Sequence, residues 1–109
     1  MISIMKEMIF EKFLGDTREY EEELIFPKEL CMEFIQECRL HKVAILGIEG
    51  YLFLPDKCVK PVIDEVADFS DLSSLGRKQY VDESVYSAEE FLKHMLKNGV
   101  SDGYSFVLD

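Results

Sequence analysis

The 109-residue chain reads as a single α+β domain. We expect a mixed or antiparallel sheet with a central strand at about residues 43–54, packed by helices at about 27–41 and 87–97. Three observations predict this. A chain of this length holds one core, and its 48% hydrophobic and 31% charged composition is that of a globular protein. Val43–Leu54, VAILGIEGYLFL, is apolar on both alternating faces, which marks a strand covered on both sides. Two further segments repeat apolar residues at helical spacing.

At the N-terminus Ile2, Met5, Ile9 and Phe13 form a helical stripe that Met8 widens, with strand an alternative for Ile2–Met5, and Gly15-Asp16 would end the helix. REYEEELIF follows, with acids at Glu19, Glu21, Glu22 and Glu23. Pro27 suits the first turn of the next helix, where a missing N–H costs nothing. Leu30, Cys31, Phe34, Ile35 and Cys38 are its apolar stripe, and Glu29, Glu33 and Glu37 form an acidic ridge. Arg39, His41 and Lys42 stand at the negative end of its dipole.

After the 43–54 strand, Pro55-Asp56-Lys57 is a turn signal. KPVIDEVADFSDL fits either a short helix or a strand, and the β-favouring residues around Val66–Ser70 predict strand there. Residues 70–84 are polar and predict a long loop. Ser87-Ala88-Glu89-Glu90 has the form of a capping box, so the last helix is expected to begin there, with Phe91, Leu92, Met95 and Leu96 buried and Asn98-Gly99 as its end. Tyr104–Leu108 predicts a terminal strand.

The net charge is −10, with eleven acids and six bases in each half of the chain. Such a field repels nucleic acid and anionic lipid and speeds encounter with a basic protein. It also serves solubility. Three cysteines without framework spacing fit a reducing compartment, and neither a signal-peptide core nor a membrane-length apolar run is present in the sequence, so a cytoplasmic protein is expected. Cys31 and Cys38 lie about 10 Å apart along a helix at 1.5 Å per residue, too far to share one zinc ion, so no metal or cofactor is expected. No nucleophile elbow, phosphate-cradling loop or paired histidine suggests catalysis. The acids of the Glu29/Glu33/Glu37 ridge and of the denser Asp64, Glu65, Asp68, Asp71 cluster either wet the surface or bind the cations of a partner.

Glu49 is the sharpest anomaly, a carboxylate inside the most apolar strand. It could be paired with a cation or with backbone donors, turned outward by a kink at Gly50, or set at a working surface that Gly47 and Gly50 leave open.

ILGIEGYLF, then KPVIDEVADFSDL, a capped helix and a terminal YSFVLD together resemble small bacterial immunity proteins of polymorphic-toxin and contact-dependent growth inhibition systems. The resemblance runs from Val43 to Asp109 and centres on Gly47, Ile48, Glu49, Gly50, Ala67, Asp68, Phe69 and Ser70. It implies one immunity-like domain over residues 1–109, a non-enzymatic inhibitor of a cognate toxin domain delivered by neighbouring bacteria. Many such toxins are basic nucleases, which suits an acidic partner. Gly47, Glu49, Gly50, Asp68 and Ser70 would then be fold-holding. The alternative is a small enzyme or regulatory subunit in which Glu49 and Asp68 do acid–base work. The sequence leaves the oligomeric state open.

Overall fold

A computed structural model describes residues 2–109, with side chains from Lys6 onward except Leu14. The expected stripe positions Ile2 and Met5 therefore have side chains outside the described set. In chain order the elements are α1 (Ile2–Glu11), β1 (Arg18–Tyr20), β2 (Glu23–Pro27), α2 (Lys28–Leu40), β3 (Ile45–Phe53), β4 (Val59–Asp68), α3 (Arg77–Asn98) and β5 (Gly103–Leu108), with short 3₁₀ turns between some of them. The strands form one antiparallel sheet in the order β1-β2-β5-β3-β4. The fold is α+β, as the sequence predicts. β3 is paired on both sides, while β5 takes the middle place.

The core lies between the sheet and the helices. Phe26 of β2, Phe34 of α2 and Phe106 of β5 form its aromatic centre, with ring centroids 4.4 Å apart for Phe26–Phe34 and 4.6 Å for Phe34–Phe106. Phe13 meets both Phe26 and Phe34 edge-on, so the N-terminal segment closes this cluster. Ile9 is buried as expected, but Met8 is 56% exposed and stands off the stripe.

Strict alternation along β3 fails for a specific reason. The register against β5 shifts between Ile45 and Gly47, so Ile45 and Ile48, three residues apart, both reach the core. On β3's other side the register against β4 shifts between Glu49 and Gly50. Glu49 faces Val66 and Gly50 faces Val62, which loops out residues 63–65.

The chain from 59 to 68 is strand, ten residues long and earlier in onset than the expected 66–70. The expected loop over 70–84 is not found. A 3₁₀ turn covers Ser70–Ser74, and α3 starts at Arg77 rather than Ser87. Tyr80, Val81, Ser84, Val85, Ala88 and Leu92 are its buried face, and Ser87 is an interior residue, not a cap. The polar Ser84 is tolerated because its hydroxyl accepts the Ile45 N–H at 3.0 Å and donates to the Val81 carbonyl at 3.2 Å.

The β1–β2 hairpin bends β2. Its first residues pair with β1, while Phe26 and Pro27 pair with β5. Arg18 reaches from β1 to the β3–β4 turn, donating to the carbonyls of Leu54 (2.8 Å) and Cys58 (2.9 Å), with its guanidinium 4.2 Å from the Phe53 ring centroid. The hairpin thus reaches the end of β3, where Tyr20 also meets Tyr51 at 5.9 Å between ring centroids.

Candidate functional site

The structure separates the acids that the sequence groups together. Asp64, Asp68 and Asp71 are exposed on β4 and the turn after it. Glu65 is not: it is 8% exposed and turned inward from the looped-out segment. Its carboxylate accepts the Val100 N–H at 2.7 Å, the Ser101 N–H at 3.0 Å and the Ser101 hydroxyl at 2.6 Å. Burial pushes this carboxyl up, but the hydrogen bonds from Ser101 and Val100 outweigh it and hold the group below its ordinary value. Glu65 is therefore a clamp on the α3–β5 connection, and its expected place on a partner-facing cluster is corrected.

Two glycines make room for the clamp. A Cβ at Gly50 would collide with Ser101 Oγ and stand 3.1 Å from the Glu65 carbonyl oxygen; one at Gly99 would stand 2.7 Å from Glu65 Oε1. Asp102 continues the anchoring. Its N–H donates to the Tyr51 carbonyl, its carboxylate accepts the Phe53 N–H, and its carbonyl accepts the first N–H of α2, all at 2.8–2.9 Å.

Glu49 is partly buried, and its partner is neither a cation nor backbone. The buried Tyr51 hydroxyl lies 3.1 Å from Glu49 Oε2 and 3.2 Å from Glu23 Oε2. One phenolic proton thus faces two carboxylates. Burial, with the two acids adding to it, pushes the Tyr51 phenol well above its ordinary value of 10.

Glu49 and Asp68 both line a hollow of about 200 Å³, with Gly47, Val66 and Val107 among its walls. Asp68 is exposed and accepts the Ser70 N–H at 2.8 Å, which holds its carboxyl below the usual range. Asp68 thus holds the Ser70 backbone at the turn that follows β4.

On α2 the ridge is broken. Glu29 and Glu33 are exposed, while Glu37 is partly buried, 3.1 Å from Lys12 Nζ and 3.8 Å from His41 Nε2. Cys31 and Cys38 are buried, and burial pushes the Cys38 thiol up to about 12 and the Cys31 thiol higher still. Among the described residues no group of three potential ligands could hold a metal ion, and no helix is long and apolar enough to cross a membrane.

Beside the exposed acids stand exposed apolar residues of the same strand: Ile63 is 86% exposed and Val66 49%. β4 is also the last strand in the sheet order. β4 and the turn after it thus combine an exposed apolar pair, three exposed acids and a strand edge. Comparison with family models, curated proteins and solved structures finds no match.

Proposed function

We propose that the chain is a cytoplasmic immunity protein that binds and neutralises a basic toxin domain through its β4 edge. The observation that carries this reading is the apolar pair Ile63 and Val66 set among exposed Asp64, Asp68 and Asp71. Interfaces have this anatomy, an apolar centre inside a polar rim, and an edge strand adds unpaired backbone groups to it. The net charge of −10 suits a basic partner. Where a secreted protein ending in a small basic domain is encoded immediately upstream, the test is to purify that domain and to mix it with this chain. A 1:1 complex that protects cells, and is lost in Ile63→Asp or in Asp64→Lys/Asp68→Lys/Asp71→Lys, supports the proposal. Protection without contact, or a complex indifferent to both variants, refutes it for this surface.

The shared hollow of Glu49 and Asp68 favours a second reading, acid–base catalysis. Its size weighs against it: the hollow, at about 200 Å³, is smaller than ordinary small-molecule sites of roughly 300–1,000 Å³.

A further inference from the structure

Four of the twelve basic residues of this acidic chain line one cavity. Arg39 and Lys42 come from the C-terminal end of α2, and Arg77 and Lys78 from the first turn of α3. Val81 and Asp82 complete the walls of a space of about 480 Å³. The two pairs differ in what explains them. Arg39 and Lys42 sit at the negative end of a helix dipole, where cations are ordinary. Arg77 and Lys78 sit at the positive end of a 22-residue helix that has no acid in its first turn and no side-chain cap. Cations there oppose both the dipole and the open N–H groups, so their placement is not the one a helix start favours.

Internal partners offset only part of the charge. Lys78 Nζ lies 2.8 Å from Asp82, and Arg39 lies 3.3 Å from Glu89, which packs from α3. Arg77 gives one N–H to the Asp109 carbonyl at 2.9 Å. The six lining residues include four cations and one carboxylate.

We propose that this cavity binds a phosphate-bearing small molecule. Two guanidinium forks, two ammonium groups and the α3 N-terminus supply the chemistry that recognises phosphate oxygens. The volume falls in the range of sites that take nucleotide-sized ligands. A small molecule is favoured over a nucleic acid strand because the remaining surface of a −10 protein repels a polyanion. The site stands apart from β4 and does not depend on the toxin-binding reading.

The experiment is calorimetric titration of the whole protein with pyrophosphate and with ATP at matched ionic strength. Arg77→Gln/Lys78→Gln reads the site from α3, Lys42→Gln reads it from α2, and Lys57→Gln/Lys60→Gln is a distant charge control. Saturable binding is expected, weakened at least about tenfold in Arg77→Gln/Lys78→Gln, the loss of one charge-assisted contact being enough for that. It should be weakened in Lys42→Gln and kept in the control. The unliganded Arg77→Gln/Lys78→Gln protein should melt close to the parent, since the relief of the unfavourable dipole offsets the loss of the Asp109 and Asp82 contacts. The proposal is overturned if neither probe binds at millimolar concentration, if the control variant loses binding as much as the cavity variants, or if a short oligonucleotide binds more tightly than pyrophosphate and ATP.

Discussion

Two carboxylates with similar sequence surroundings do opposite things. Glu65 holds three donors, and Glu65→Ala would strand the Val100 and Ser101 N–H groups. We expect a loss of about 3 kcal/mol, measured by urea denaturation, the upper part of the range for leaving buried groups unpaired. The same contacts set an acid dependence. The unfolded chain takes up its proton near the ordinary 4.5, and the folded one only at lower pH. Between those points the unfolded state binds more protons, so acid favours it. The clamp's contribution is full above the ordinary value and is lost as pH falls through the depressed one, and Glu65→Gln should flatten that limb of the stability–pH curve. Glu49 should behave differently. Its Tyr51 partner has one proton for two acids, so Glu49→Gln supplies a donor and removes a like charge. Stability should stay level or rise, by up to about 1 kcal/mol. A clear loss in the melting temperature would show that the anion itself is needed.

The β1–β2 hairpin turns through Glu21 and Glu22, both left-handed at φ 48° and 69°. Two-residue hairpins need such angles at both positions and favour Asn-Gly there. Glu21→Asn/Glu22→Gly should therefore stabilise by about 1 kcal/mol, the cost of one non-glycine residue in that region. A lower melting temperature would mean that the acids serve the fold in another way. The elements that could be read from sequence were those with an unbroken period. The apolar stripe of α2 runs from Leu30 to Cys38, and its boundaries came out within a residue. α3 was half hidden because Ser84 interrupts its apolar face and SAEE at 87–90 imitates a start. β4 was ambiguous because an edge strand buries little and the loop-out at 63–65 breaks its alternation. Of the candidate site, the exposed acids were legible. The inward turn of Glu65 was not, since it depends on the α3–β5 connection 35 residues away.

At the scale of the molecule, charge should govern the speed of partner binding. Attraction between a −10 protein and a basic domain acts mainly on the association rate. Raising salt to physiological strength shortens the screening length to about 8 Å. Association measured by stopped flow should slow by roughly tenfold, with dissociation changed less. Reversing Asp64, Asp68 and Asp71 should slow it further than reversing Glu29 and Glu33 of the broken ridge. A rate indifferent to salt would leave the acidity to solubility alone. The reach of Arg18 from β1 to the carbonyls of the β3–β4 turn has a different consequence. It ties the three-residue strand at one end of the sheet back onto the fold, so that the ten-residue β4 is the long margin left for growth. The free edge of β4 can take one neighbouring strand and is then covered. Two copies meeting edge to edge through β4 would exhaust each other as templates, so self-association by this route ends at a pair and cannot propagate into a fibre.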